Sequence, residues 1–403
     1  MDADVLDFLL RPVGQRLLNA ASSWYDDVDP LALNLRLRGL DGGYRPDEVA
    51  AALTLVGLRR AAVSKFGPAA SRLYLTAAGL EQATHPVVAR HRARRTHDAG
   101  LRACLDLGCG IGSDLMAFAG AGLAVTGVEQ DGVTARMAAA NLEVSGLAGT
   151  VVSAAAESVD RAAFDLVFAD PSRRRGSARV FDPAAFSPPW TFVASLLEGT
   201  GSGAPVPQHA VVKLAPGLDH ALIGRDVEAE WVSLDGQLRE TALWSPAPTV
   251  ARRRATVLGT DGSLLERTEE DAPLDAPPVA RVGRYLYEPD PALIRAHLVS
   301  VAAAEVDGWL LDPHIAYVCS DREVQTGLAA CYRVLEVLPY QEKRLRAALR
   351  QRGIGALTIK KRGIAVTPEV LRRRLGLTGQ RQATLVVTRT PQSAVALLVD
   401  PVT

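Results

Sequence analysis

The stretch LRACLDLGCGIG, residues 101–112, decides how the rest of this chain is interpreted. Residues 103–107 form a short and mostly apolar run, which is typical of a buried strand in a parallel sheet. A G-x-G-x-G turn follows over residues 108–112, and the run that begins SDLMA at residue 113 predicts a helix. This order brings the backbone close to a ligand, because glycine alone permits that approach and those dihedral angles. A tight turn without a ligand is the alternative that this stretch leaves open.

The next predicted strand, residues 124–128, ends at a carboxylate, Glu129. In a doubly wound sheet this is the place of a ribose-binding acid. The spacing D-x-G-x-G-x-G from Asp106 differs from the dinucleotide fingerprint G-x-G-x-x-G, and an acid before the turn suits a cationic ligand better than a pyrophosphate. The pattern resembles the S-adenosylmethionine (SAM) site of class I methyltransferases, which implies SAM as the cofactor.

Length and composition bound the class of protein. The chain has 403 residues, enough for two or three domains, and its 48% apolar and 22% charged residues predict a folded protein with ample core. No apolar run approaches the roughly 20 residues that span a bilayer, and the acidic first residues do not resemble a signal peptide. The four cysteines lack metal-ligand spacing. We therefore expect a cytoplasmic enzyme with no metal site and no membrane partner.

The net charge of zero hides an uneven distribution. Residues 341–403 contain 13 Lys and Arg against 3 Asp and Glu, whereas the remainder contains 32 against 42. Such asymmetry predicts that the C-terminal end meets a polyanion. A basic face that is only solvated is the alternative.

Four regions follow from the pattern of elements. Residues 1–95 are predicted to be a mostly helical N-terminal region, and residues 96–262 alternate strands with helices as a SAM-binding methyltransferase domain would. The acidic, Pro-rich residues 263–280 predict a linker, and residues 281–403 predict a small α+β domain. The expected fold is α/β, with a Rossmann-like core of mostly parallel strands.

Four local predictions are specific enough to test. Residues 291–305 and residues 368–375 are each predicted to form a helix. Residues 68–78 are predicted to form a helix. Residues 231–234, 242–244 and 256–258 are predicted to be antiparallel strands that close the sheet.

The strongest candidate for acceptor chemistry is the segment Asp170-Pro171-Ser172-Arg173-Arg174-Arg175, which ends the fourth predicted strand. It resembles the D/N/S-P-P-aromatic motif of nucleic-acid amino-methyltransferases, in which the first side chain accepts a hydrogen bond from an exocyclic amine. Here Ser replaces the second Pro and Arg replaces the aromatic residue. Arginine can stack on a base and grip a phosphate, so Asp170, Pro171 and Arg173 are the catalytic candidates and Arg174 a substrate-binding one. The alternative is a loop-capping Asp with solvated arginines.

Other residues near the core are alternative candidates for the acceptor site. The sequence SPPW at residues 187–190 matches the amino-methyltransferase motif better but comes about 17 residues too late, where prolines are expected to begin a helix. Lys213, after the fifth strand, either faces the substrate cleft or pairs with Asp170. No cysteine stands where a thiolate mechanism needs one.

In the last region, Lys360, Lys361 and Arg362 precede a glycine turn. Clusters of this kind supply sequence-independent phosphate contacts, and the scarcity of aromatic residues favours recognition of backbone or shape over base stacking. We therefore predict these three residues to be RNA-binding.

The chain resembles a bacterial family of class I SAM-dependent methyltransferases with a C-terminal THUMP-like domain. The shared motifs, in order, are KFG (65–67), GLEQAT (79–84), LDLGCGIGSDL (105–115), ADPSRR (169–174), KLAPGLD (213–219) and KKRG (360–363). The resemblance covers nearly the whole chain and implies that the last domain binds RNA.

The resemblance also implies roles at the cofactor site. Acidic and glycine residues of the turn would surround the amino-acid part of SAM, Glu129 would bind the ribose, and Glu157 would take the place of the adenine-contacting acid. The predicted cofactor residues are Asp106, Gly108, Cys109, Gly110, Gly112, Glu129, Gln130 and Glu157.

Together these observations predict a SAM-dependent methyltransferase that acts on a base of structured RNA, rRNA or tRNA, at nitrogen. Two rival interpretations remain. One is a methyltransferase for a small molecule or protein, and the other is a SAM-sensing RNA-binding module without catalysis.

Overall fold

A computed structural model describes residues 2–171, 174–175, 178–179, 188–198, 209–245 and 251–402. The chain forms two compact units. The first contains Met1–Leu214, Leu218–Glu228 and Ala242–Val250, and the second contains Ala215–Gly217, Ala229–Thr241 and Ala251–Thr403. Among the described residues, no helix is long and apolar enough to cross a membrane.

The first unit begins with a helical part. Proline occupies the first turn of α2, α3, α4 and α6, where its missing N–H costs nothing and its fixed φ favours the helix. Apolar faces of α1 to α4 meet in one core that also takes in Ile111, Met137 and Ala140. The helices are α1 (Ala3–Leu10), α2 (Pro12–Trp24), α3 (Pro30–Arg38), α4 (Pro46–Phe66), α5 (Ala77–Gln82) and α6 (Pro86–Asp98).

The predicted helix over residues 68–78 is wrong. A 3-10 helix covers Gly67–Ser71, and α5 begins only at Ala77. Between them the chain is extended, because the buried side chain of Asn141 pairs with the backbone of Tyr74. Asn141 Nδ2 donates to the Tyr74 carbonyl at 3.0 Å, and the Tyr74 N–H donates to Asn141 Oδ1 at 2.7 Å. These bonds satisfy the backbone as a neighbouring strand would.

A parallel sheet forms the rest of the first unit. Its strand order is β9-β7-β4-β1-β2-β3, and the pairs β1–β2, β1–β4, β2–β3 and β4–β7 are all parallel, as predicted. The elements are β1 (Ala103–Leu107), α7 (Ser113–Gly120), β2 (Ala124–Glu129), α8 (Gly132–Val144), β3 (Thr150–Ser153), β4 (Leu166–Ala169), the short hairpin β5 (Arg174–Arg175) and β6 (Ala178–Arg179), α9 (Trp190–Leu197) and β7 (His209–Leu214). After Glu228, strand β8 (Glu228–Leu234) belongs to the second unit, and β9 (Gln237–Ser245) belongs to the second unit up to Thr241 and to the first unit from Ala242.

The strands that follow β7 differ in part from the prediction. A two-residue turn with positive φ at Asp235 and Gly236 joins β8 to β9, so these neighbours are antiparallel. However, β10 (Arg253–Leu258) pairs with the other side of β8 in the parallel direction, which corrects the antiparallel assignment of residues 256–258. The segment predicted as a linker contains strand β11 (Leu264–Thr268), which pairs with β10. Charge and proline content suggested an open segment, but the tight turn at Gly262 (φ 91°) returns the chain as a hairpin.

The second unit contains a seven-stranded sheet of order β13-β14-β12-β15-β18-β17-β16, in which β16 and β17 alone of the described pairs are parallel. Lys360 on β16 pairs with Glu288 on β12 although three strands lie between them, so the sheet is strongly curled. The elements are β12 (Tyr285–Pro289), α10 (Pro291–Arg295), α11 (Val299–Glu305), β13 (Trp309–Asp312), β14 (Ile315–Ser320), β15 (Ala329–Pro339), α12 (Glu342–Gln351), β16 (Ile354–Lys361), α13 (Pro368–Leu375), β17 (Arg381–Arg389) and β18 (Ala394–Pro401).

Candidate active site

A cavity of about 430 Å³ lies in the first unit at the carboxyl ends of β1, β2 and β4. Its size is within the range of small-molecule sites, and its position is the one expected for a ligand of an open α/β sheet. The wall opposite the sheet comes from the helical part, through residues 76–84. Among the predicted cofactor residues, seven line the cavity: Asp106, Gly108, Cys109, Gly110, Glu129, Gln130 and Glu157.

The glycine turn has the geometry that its sequence predicts. Gly108, Gly110 and Gly112 have φ of 82°, 55° and 85°, which L-residues with a side chain rarely adopt. A Cβ on Gly110 would meet nothing within 4 Å, so its backbone is open to a ligand. Gly112 lies behind the wall, where it caps α7 and packs against Ala138. The turn therefore offers bare backbone to the cavity, as a close-fitting cofactor requires.

Glu129 connects the end of β2 to this turn. Its Oε2 atom accepts a hydrogen bond from the Gly110 N–H at 3.0 Å, and its Oε1 atom accepts one from the Asp131 N–H at 3.0 Å. The carboxylate thus shapes the glycine turn directly. Each oxygen retains a lone pair that a ribose hydroxyl could use, and the ribose role stays a prediction.

Asp106 is the least satisfied polar group of the cavity. It is 1% exposed, and neither carboxylate oxygen has a hydrogen-bond partner among the described residues. Burial raises its pKa well above the usual value, and the nearby carboxylates of Asp114 and Asp170 raise it further, against the opposing charges of Arg92 and Lys213. A buried carboxyl without a partner suits a cationic ligand. SAM carries both an ammonium and a sulfonium group, so the residues present fit this cofactor.

Two further predicted cofactor residues have distinct surroundings. Cys109 is buried against Gly127, where a Cβ would come within 2.9 Å of the Cys109 sulfur. Burial raises the pKa of the Cys109 thiol, so it packs as an apolar group and is no nucleophile. Glu157 is exposed on a 3-10 helix, Ala156–Ser158, at the cavity rim after β3.

Asp170, the first predicted catalytic residue, lies directly after β4 and lines the same cavity. Its Oδ2 atom accepts a hydrogen bond from Lys213 Nζ at 2.5 Å, so the ion pair left open by the sequence is formed. Pro171 is buried beside it. Arg173 lies outside the described residues, and Arg174 belongs to the short strand β5.

Several residues that local sequence patterns do not single out also contribute to this site. Thr84 bonds to both Lys213 and Asp114, and Arg92 pairs with Asp114. Thr84 belongs to the GLEQAT motif, which marked the family without indicating a role. Pro188, from the SPPW segment that was interpreted as structural, also lines the cavity just before α9.

In the second unit, two of the three predicted RNA-binding cations are paired within the protein. Lys360 Nζ lies 2.7 Å from Glu288, and Arg362 lies 3.6 Å from the same carboxylate. Lys361 is exposed. The ion pairs leave the KKRG turn less positive than its sequence suggests.

Comparisons with known proteins give both family and fold. A family model described as THUMP domain-like matches residues 329–401, and one described only as a domain of unknown function matches residues 2–62. An uncharacterized SAM-dependent methyltransferase of Mycobacterium tuberculosis, found in strains CDC 1551 / Oshkosh and ATCC 25618 / H37Rv, is 37% identical over 343 residues. That match covers 82% of this chain and 90% of the relative.

A solved structure resembles nearly the whole chain. It is a proposed methyltransferase from Porphyromonas gingivalis W83, with a TM-score of 0.73, 19% identity, and coverage of 96% of this chain and 98% of that one. At this identity the likeness shows the fold. The predicted Rossmann-like core with a C-terminal THUMP-like region is confirmed.

Proposed function

This chain belongs to the SAM-dependent methyltransferases, and from that premise we propose that it methylates a nitrogen of a base in structured RNA, rRNA or tRNA. SAM supplies an electrophilic methyl group when it is bound. We assign its amino-acid part to Asp106 and the glycine turn, its ribose to Glu129 with Gln130, and its adenine to Glu157.

The observation that carries the proposal is the place of Asp170. It ends β4 and lines the same cavity as Asp106, so an acceptor that reaches Asp170 is next to the cofactor. A carboxylate there accepts a hydrogen bond from an exocyclic amine and so directs the lone pair of the amine nitrogen toward the methyl carbon. The methyl–sulfur bond breaks as nitrogen bonds to carbon, and we assign to the same carboxylate the N–H proton that the methylated nitrogen must then lose.

Structured RNA is the acceptor class that the charge distribution favours. The helices α12 and α13, within the region matched by the THUMP-like model, carry seven Lys and Arg against two Glu. Six of the seven cations are exposed: Lys343, Arg344, Arg350, Arg372, Arg373 and Arg374. Together with Lys361 they provide phosphate contacts of the sequence-independent kind.

Mass spectrometry of nucleosides from a deletion strain tests the proposal. We expect one methylated base to disappear from rRNA or tRNA and to return with the wild-type gene. Asp170→Asn should not restore it, whereas the matched control Asp226→Asn, at an exposed position of the same unit, should. Unchanged nucleosides in both RNA classes would contradict an RNA acceptor, and restoration by Asp170→Asn would contradict the role of Asp170.

A further inference from the structure

A continuous chain of polar contacts runs through the wall of the active-site cavity. Lys213 Nζ donates to Asp170 at 2.5 Å and to Thr84 Oγ1 at 2.9 Å, and Thr84 Oγ1 donates to Asp114 Oδ2 at 2.6 Å. Arg92 forms an ion pair with Asp114 and lies over the ring of Phe168, with 4.8 Å from guanidinium carbon to ring centroid. The side chains of Arg92 and Asp114 are 2% and 9% exposed, so this end of the row of polar contacts is held in place by its surroundings.

The number of protons on each polar group sets the direction of these hydrogen bonds. A threonine hydroxyl has a single proton, and Asp114, which pairs with Arg92, can only accept it. The lone pairs of Thr84 Oγ1 are therefore turned toward the ammonium of Lys213. Lys213 in turn holds Oδ2 of Asp170, and Oδ1 has no hydrogen-bond partner within the part of the chain that the structure describes.

The segment that carries Thr84 is itself held in place. Lys65 Nζ donates to the carbonyls of Leu80 at 2.6 Å and Ala83 at 3.0 Å, and Ser113 Oγ donates to the carbonyl of Thr84 at 2.9 Å. The KFG and GLEQAT motifs, to which the proposed function assigns no role, therefore hold the segment that carries Thr84. They fix a hydroxyl from the helical part against the core of the same unit.

We propose that Lys213 and Thr84 are positioning residues for methyl transfer. Lys213 fixes the orientation and charge of the Asp170 carboxylate so that Oδ1 faces the acceptor, and Thr84 fixes Lys213. This inference rests on the proposed role of Asp170. It assigns Lys213 to positioning of Asp170 rather than to direct contact with RNA.

The test compares four variants in methyl transfer from SAM to total rRNA and tRNA of the deletion strain. Thr84→Val removes the hydroxyl at nearly constant shape and should lower kcat about 10- to 100-fold, the scale of a misplaced catalytic group. Thr84→Ser should restore most of the rate. Lys213→Met should lower kcat at least as far, and Lys213→Arg should recover part of it. The Kd for SAM should stay within about threefold in Thr84→Val, Thr84→Ser and Lys213→Arg, because these three variants keep every charge around Asp106.

A double variant separates positioning from a general structural effect. In the Asp170→Ala background, Thr84→Val should cause no further loss, because residues that act as a unit are not additive. The control Thr54→Val, at an exposed hydroxyl of α4 that donates to the Ala50 carbonyl, should leave kcat unchanged. An equal loss from Thr84→Val in both backgrounds would overturn the inference alone. Full activity of Asp170→Ala would overturn the proposed role of Asp170 and the inference with it.

A second measurement needs no acceptor. In the NMR spectrum of lysine ammonium groups, Lys213, identified by its loss in Lys213→Met, should give a signal protected from exchange. Thr84→Val should shift or broaden that signal, and Thr54→Val should not. An unaltered Lys213 signal in Thr84→Val would refute the positioning role even if no RNA in the preparation accepts a methyl group.

Discussion

A carboxyl group that is buried without a hydrogen-bond partner must either stay neutral or meet a cation, and Asp106 has no such partner among the residues that the structure describes. Burial, followed by the carboxylates of Asp114 and Asp170, raises its pKa well above the usual value. A bound cation has the opposite effect, because it favours the ionised form. The proposed assignment of SAM to Asp106 therefore implies that ionisation of Asp106 is coupled to binding of the cation.

This coupling predicts a pH dependence with a definite sign. Below the pKa of Asp106 in the free protein, the carboxyl must lose its proton to meet the cation, so SAM affinity should rise with pH and level off above that pKa. Calorimetry in two buffers of different ionisation heat should show release of up to one proton per SAM. Asp106→Asn should abolish the release and weaken binding by about 1.5–3 kcal/mol, the loss of a charge-assisted contact.

The control for this experiment is Asp160→Asn, at an exposed carboxylate outside the cavity. Its proton release should equal that of the wild type. Proton uptake on SAM binding, or equal release by Asp106→Asn, would contradict the coupling.

At the residue scale, the sequence predicts which residues line the cavity better than it predicts how they contact one another. Asp106 and Glu129 are predictable because each ends a strand next to a recognisable turn, so their places follow from local pattern. Thr84 and Lys213 are 129 positions apart, and only the folded chain joins them. Local periodicity carries no information on such a pair.

At the scale of elements, helices α12 and α13 each have one apolar face and one basic face. Leu345, Leu349, Leu371 and Leu375 are all fully buried in one apolar core, while the other face is basic. Some of the arginines cap the helix ends, as Arg350 does through its bond to the Gly376 carbonyl at 2.8 Å. In contrast, Lys343, Arg344 and Arg373 are exposed and make no hydrogen bond or ion pair among the described residues. These three are free for an external anion.

Replacement of these three cations tests the RNA-binding surface. Lys343→Gln, Arg344→Gln and Arg373→Gln together should weaken binding to tRNA or rRNA fragments and lower the slope of log Kd against log salt by about 2, at roughly 0.7–0.9 per lost phosphate contact. Folding should be unaffected, because no internal contact is removed. The measurement is a titration of labelled RNA between about 50 and 200 mM salt, the range in which such contacts dominate.

A matched control changes the same net charge elsewhere. Arg11, Arg16 and Arg38 are exposed residues of the helical part, and their joint replacement by Gln should leave the salt slope unchanged. Equal slopes for the wild type and both triple variants would show that RNA binds through other residues.

Elements with a strong local pattern are the ones that the sequence predicts. The helix predicted over residues 368–375 forms as α13, since proline begins it and glycine follows it. The helix predicted over residues 291–305 is interrupted between α10 and α11, where His297 has φ of 58°. Strand β11 was missed because hairpin pairing, not composition, holds it. Failures thus occur where a distant partner or a single dihedral angle decides the structure.

On the scale of the whole molecule, the helical part of the first unit shares one core with a helix of its α/β part. Leu6 and Leu9 of α1 are fully buried in the cluster that contains Met137 and Ala140 of α8. The same helical part supplies residues 76–84 of the cavity wall. The predicted boundary at residues 95/96 therefore separates regions that we expect to unfold together.

Amide hydrogen exchange tests this expectation. Leu6→Ala with Leu9→Ala should lower the free energy of opening by several kcal/mol, since each buried Leu→Ala change costs about 2–5 kcal/mol. The loss should be equal for amides of α2 and of β1 if one cooperative unit contains both. Leu31→Ala with Leu35→Ala, at side chains 72% and 61% exposed on α3, should change the free energy of opening in neither α2 nor β1.

Binding of SAM gives a second readout. SAM should raise amide protection in α2 as much as in β1, because its binding energy stabilises everything that unfolds with the site. If α2 loses protection while β1 keeps it, the helical part is a separate domain, and the boundary predicted from the sequence is also a boundary of stability.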